Sequence, residues 1–165
     1  MEFNLNITRR LHEEHTATLT AWTRLEQQLA ARDTRWPPAE GDAIASQLRA
    51  CAGLLAQEVS QHFAFEEAQL FPRLEESGEG DIAQLLAEEH AVIREAAQQF
   101  AALQARAARG ELDDAGWRTF KIAALELVER LVSHVQKEEM SLLPAIEDLI
   151  DEETDRELIT EYAMN

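Results

Sequence analysis

A chain of 165 residues, 45% hydrophobic but only 6% aromatic, is long enough to bury one sizeable core, and its six Gly and four Pro leave most of it free to be helical. The formal net charge of −17 argues against a nucleic-acid ligand, whose phosphates must be neutralised on binding. The single cysteine, Cys51, rules out an intrachain disulfide or a thiolate metal cluster, and no apolar run reaches the ~18 residues that span a bilayer. The N-terminal MEFNLNITRR lacks the basic-then-apolar pattern of a secretory signal, so a cytoplasmic location away from any membrane is expected.

The first predicted helix covers about Asn4 to Arg32. It carries LHEEH at Leu11 to His15, and its inward face is read through His15, Leu19 and Trp22. The paired prolines and glycine of DTRWPPAEGD mark Asp33 to Asp42 as a loop. A second helix, Asp42 to Phe71, shows a stripe of Leu48, Ala52, Leu55, Val59, His62 and Glu66 at alternating spacings of four and three. Cys51 lies on this segment, where a buried, inert thiol is expected. Pro72 is expected to stop the helix, with Glu75 to Asp81 as the next loop. The third helix, Asp81 to Arg109, carries LAEEH and then Ile93, Ala97 and Phe100 on the face of His90. After a loop at Gly110 to Gly116, the fourth, Ala115 to Leu143, has a stripe of Phe120, Ala124, Leu127, Leu131, His134 and Glu138. An acidic tail, 147–165, is predicted to be helical and amphipathic, following on from Ile146 through Leu149, Ile150, Leu158 and Ile159. Short loops between four helices of similar length predict an all-α, antiparallel up-down-up-down four-helix bundle over about 5–146, in one domain of 1–165.

The two halves match. HFAFEEAQLFP at His62 to Pro72 is answered by HVQKEEMSLLP at His134 to Pro144, and EEH at His15 by EEH at His90. Residues i and i+4 share a helix face, so each HxxxE aims an imidazole and a carboxylate at the bundle axis. A carboxylate in a core stripe costs several kcal/mol unless it is paired or bound to a metal, and neither stripe offers a Lys or Arg. A lone HxxxE is usually a surface pair, but two in core register with two further histidines on the partner helices point to metal.

The candidate ligands are therefore His15, His62, Glu66, His90, His134 and Glu138. Four imidazoles and two bridging carboxylates suit two metal ions, each with two nitrogens and one oxygen from each glutamate. A bridging oxide or hydroxide would leave about one open octahedral position per metal. Imidazole and carboxylate without thiolate favour iron, with manganese or zinc as competitors. No Glu-x-x-His occurs, so the ferritin-like pattern is absent. Glu67 and Glu139 sit about 100° round from the bridging pair and are read as flanking residues that metal binding can do without. His12 pairs with Ala87 in the repeat and is left outside the ligand set, as the alternative to His15. Trp22 is expected to wall the pocket, and Phe63, Phe65, Phe71 and Phe120 to pack in the core.

EEH, HFAFEEAQLFP, EEH and HVQKEEMSLLP resemble the hemerythrin-like (HHE cation-binding) domain, a four-helix bundle around a non-haem di-iron centre, across nearly the whole chain. Oxygen-carrying members have a second His four residues after the third-helix ligand, where this sequence has Arg94, and a His with an Asp five residues on where it has HxxxE. The four-His, two-Glu pattern is closer to the iron-sulfur repair di-iron proteins and to the iron-sensing domain of a ubiquitin-ligase subunit. The resemblance implies binding or sensing of a small diatomic or peroxide ligand (O2, NO or peroxide) in oxidative or nitrosative stress. Iron storage or delivery, or a metal-responsive regulatory module, are the alternatives. No nucleophile or general base is evident, and enzymatic activity is left open.

Overall fold

The computed structural model describes residues 3–31 and 35–164. Arg32, Asp33 and Thr34, at the junction of the expected first helix and loop, lie outside the described residues. Within them the chain is all-helical, with no strand. Helix α1 is Asn6–Ala30. Helix α2 runs over 43–77 and contains two π-helical turns, Glu58–His62 and Glu66–Leu70. Helix α3 is Gly80–Ala108. Helix α4 runs over 114–149 with one π turn at Glu138–Leu142, and α5 is Glu152–Met164.

Pro72 and Pro144 do not end their helices, contrary to the sequence expectation. Each sits at the start of a further α-helical stretch, Phe71–Ser77 and Leu143–Leu149, directly after a π turn. In the π turns, Phe71 N–H donates to Glu66 O and Leu143 N–H to Glu138 O, five residues back. The wider turn displaces the carbonyl that a proline ring would strike, and a residue at the first turn of the following stretch needs no N–H. Helix α2 stops instead at Gly78, whose φ of 97° only glycine adopts freely, so the predicted loop shrinks to Gly78 and Glu79.

The buried residues form two apolar clusters. One contains Trp22, Leu25, Leu48, Leu55, Ile93, Phe100, Phe120 and Leu127; the other contains Ile7, Leu11, Leu70, Leu74, Leu86, Leu142, Ile146 and Leu158. Along α1 and α3 the chain passes from the second cluster to the first, and along α2 and α4 from the first to the second. Between them each long helix places buried polar residues: His15, His62 with Glu66, His90, and His134 with Glu138. The stripes of α3 and α4 match the sequence reading. In α1 and α2 single positions differ: Thr18, Cys51 and Glu58 are buried where Leu19, Ala52 and Val59 were expected, while His15, Trp22, Leu48, Leu55, His62 and Glu66 are buried as read.

The tail closes the second cluster. Leu158 and Tyr162 are buried there, whereas Leu149 faces solvent. Helix α1 has no side-chain cap of its own. Glu147 accepts from the Asn4 and Leu5 amides, and Asp155 from those of Asn6 and Ile7 at 3.0 and 2.9 Å. Two carboxylates at the positive end of a helix dipole satisfy donors that the helix itself cannot.

Candidate metal centre

His15, His62, His90 and His134 point their Nε2 atoms into the layer between the two clusters. His15 Nε2 lies 3.1 Å from His62 Nε2, and His90 Nε2 lies 3.0 Å from His134 Nε2. The two glutamates span the pairs. Glu66 sets Oε1 at 3.1 Å from His62 and Oε2 at 3.4 Å from His90. Glu138 sets Oε2 at 3.1 Å from His15 and Oε1 at 2.9 Å from His134. All six are essentially inaccessible to solvent. Two overlapping sets form within this layer, His15, His62, Glu66 and Glu138 in one and His90, His134 and Glu138 in the other, with donor atoms in each less than 4.8 Å apart.

Each imidazole is held from behind by an acid on another helix. His15 Nδ1–H donates to Glu139 at 2.7 Å, His62 to Glu14 at 2.9 Å, His90 to Glu67 at 2.8 Å and His134 to Glu89 at 3.1 Å. The pattern is cyclic: α1 supplies the acid for α2, α2 for α3, α3 for α4, and α4 for α1. With the proton on Nδ1, every Nε2 presents a lone pair inward, the tautomer a metal ligand requires. The sequence reading missed this role for all four acids. They were visible as the second glutamate of each EE pair, but their partners lie across helix boundaries. Glu67 and Glu139 therefore orient ligands rather than merely flank them.

Four inward lone pairs beside two carboxylates make a layer that a cation would stabilise. Among the described residues, Glu66 Oε2 and both oxygens of Glu138 face only imidazole nitrogens and have no other hydrogen-bond partner. The titration of the bare site follows the same logic. Burial opposes a charge on His15, but its bonds to Glu138 and Glu139 outweigh that and raise its pKa to about 9. Burial likewise opposes charge on His90, and Glu138 and Glu66 raise it to about 9. Burial opposes ionisation of Glu138 as well, yet the surrounding histidines, His134 foremost, hold it well below the usual carboxylate range. Protons on the imidazoles thus stand in for the positive charge that the geometry demands. An aromatic face completes the site: Phe63 stacks on His90 with ring centroids 3.7 Å apart. Trp22 lies in the first apolar cluster, its ring packed on Phe100 at 5.6 Å. His12, at the half-exposed edge of α1, binds Glu139 at 2.9 Å and stays outside the cluster.

Helices that bracket a dry layer of imidazoles and carboxylates between two apolar cores define a helical domain with a His/Glu cation site. The chain belongs to the family whose sequence pattern it carries: the hemerythrin HHE cation-binding domain matches residues 6–157. No curated protein matches the chain. No helix is long and apolar enough to cross a membrane among the described residues.

Proposed function

We propose that the chain is an antiparallel up-down-up-down four-helix hemerythrin-like protein holding two iron ions. It would bind or sense O2, NO or a peroxide, in response to oxidative or nitrosative stress or in iron-sulfur repair. His15 and His62 would hold one ion and His90 and His134 the other, with Glu66 and Glu138 shared between them. The carrying observation is that each bridging glutamate turns one oxygen to each histidine pair, at 2.9 to 3.4 Å. The alternating passage of the helices between the two apolar clusters supports the antiparallel arrangement. Nitrogen and oxygen donors without thiolate favour iron over softer metals.

When loaded, such a centre supplies an open coordination position and a change of oxidation state. The chain's own part is to fix the donors and keep the layer dry. Glu14, Glu67, Glu89 and Glu139 lock the imidazole planes, and Phe63 covers one face of His90. Metal analysis of the purified protein, with absorption spectra of the reduced form before and after O2 and NO, tests the reading. Two irons per chain and a reversible ligand-dependent spectrum are expected. Fewer than about one metal per chain under all loading conditions would overturn it.

A regulatory role is favoured by one further observation. The Tyr162 hydroxyl donates to Glu14, whose same oxygen receives His62 Nδ1–H, so the C-terminal helix touches the carboxylate that orients a ligand. Iron storage or delivery predicts instead that iron leaves the protein on reduction, which the same spectra would reveal.

A further inference from the structure

The duplication produces two related grooves, which have diverged. One lies between α1 and α2, with a volume of about 230 Å³, and is lined by Arg10, Glu13, Glu14, Thr18, Gln57 and Glu58 among others. The other lies between α3 and α4, about 650 Å³. The 75-residue and 72-residue offsets that carry His15 onto His90 and His62 onto His134 carry the lining of the first groove onto that of the second. Glu13 and Glu14 recur as Glu88 and Glu89. At the deeper positions the chemistry changes: Thr18 is replaced by Ile93 and Glu58 by Arg130, which turns outward to pair with Glu126.

Glu58 is the anomaly. It is 4% exposed, one turn before His62, and among the described residues only Thr18 Oγ1 donates to it, at 3.1 Å to Oε2. Its other oxygen, Oε1, has no donor, and no cationic side chain pairs with it among the described residues. Arg10 is engaged with Glu14 at 2.8 Å. A buried carboxylate satisfied by one hydroxyl costs stability that an apolar residue there would not. Burial also raises its pKa, against the pull of His62 and His15. Its position at the inner end of a solvent-open groove, next to the histidine cluster, gives that cost a use.

We propose that Glu58 and Thr18 form a loading port for a divalent metal ion: a transient carboxylate–hydroxyl site through which the ion passes from the acidic groove mouth to the His15/His62 half of the centre. This rests on the reading of the cluster as a metal centre. Glu13 and Glu14 draw the cation to the mouth, and Glu58 takes it in its ionised form, releasing any proton it carries to solvent. The matching groove, with Ile93 and Arg130 at these positions, has no such site, so loading is one-sided and the His15/His62 half fills first.

Stopped-flow mixing of the metal-free protein with Co2+ alone, followed by its visible absorption and by final metal content, tests this. Glu58→Gln keeps the shape and the bond from Thr18 but removes the charge. It is expected to slow cobalt uptake at least about tenfold, the scale of electrostatic focusing, with the final stoichiometry and spectrum unchanged. Thr18→Val should slow uptake in the same direction, and Leu85→Ala, in the other groove, should leave the rate at the wild-type value. Equal rates for wild type and Glu58→Gln overturn the port. So does a Glu58→Gln protein that loads fast but holds less cobalt, because Glu58 would then be a permanent ligand. A folded wild-type protein that takes up no cobalt overturns the metal-centre reading itself, a result separable from either.

Discussion

Removing one carboxylate should have different effects depending on which way it faces. Glu66 and Glu138 face the cluster, and Glu66→Ala or Glu138→Ala is expected to abolish stable metal binding, measured as metal per chain after desalting. Glu67→Ala and Glu139→Ala leave the cluster residues in place but free the imidazole rings of His90 and His15. Metal affinity should fall about 10- to 100-fold in a chelator competition. The bare site also predicts a pH dependence. The pKa values of His15 and His90 rise from 6.5 to about 9 on folding, so their stabilising contribution is complete below pH 6.5 and is lost as pH climbs through 9. Glu138, held low, contributes above its unfolded value of 4.5 and loses that contribution in acid. The metal-free protein should therefore melt at its highest temperature between about pH 5 and 7, and at falling temperature towards pH 9. The metal-loaded protein, whose histidines are already neutral, should lack the alkaline fall. At this scale the six cluster residues were legible because a His and a Glu interrupt apolar stripes. Thr18 and Glu58 were not, because the apolar neighbours Leu19 and Val59 fit the stripe better by type, though not by position.

The helices carry their own lesson in the two prolines. A proline six residues after a bridging glutamate reads as a stop signal, yet in both halves it follows a π turn that makes room for it. The sequence signal was real and repeated, but its meaning depended on hydrogen-bond spacing, which composition does not report. The two meanings predict opposite mutational outcomes. If Pro72 broke a regular helix, Pro72→Ala would stabilise the protein by ~3 kcal/mol. With the proline accommodated, the substitution mainly adds freedom to the unfolded chain, and denaturant titration should show a loss of less than about 1 kcal/mol. The π turn at Glu58–His62 is equally invisible to a reading at a constant 3.6-residue period. The order of the long helical segments among the described residues, by contrast, was readable, because Gly and Pro clusters separate them with no competing strand pattern.

Across the whole molecule, the duplicated hairpin supplies symmetry and the tail breaks it. Glu14 and Glu89 do the same work in the two halves, but Glu14 is held by Arg10 and Tyr162 and Glu89 by Lys137. The tail also closes the start of α1, where Asp155 takes two backbone amides and the Asn6 side chain. Asp155→Ala leaves those groups without an acceptor in a largely buried place. Thermal or urea unfolding should show a loss of about 1 to 3 kcal/mol, with metal stoichiometry unchanged in the protein that remains folded. The tail's helicity was foreseeable from its apolar spacing, but its function as a cap was not, since nothing local links residue 155 to residue 6. That link also bears on biosynthesis. All six cluster residues have been made by the time Glu138 is added, yet the first turn of α1 lacks its acceptors until Glu147 and Asp155 emerge. A nascent chain thus holds all six cluster residues on an unfinished scaffold until Glu147 and Asp155 have followed them.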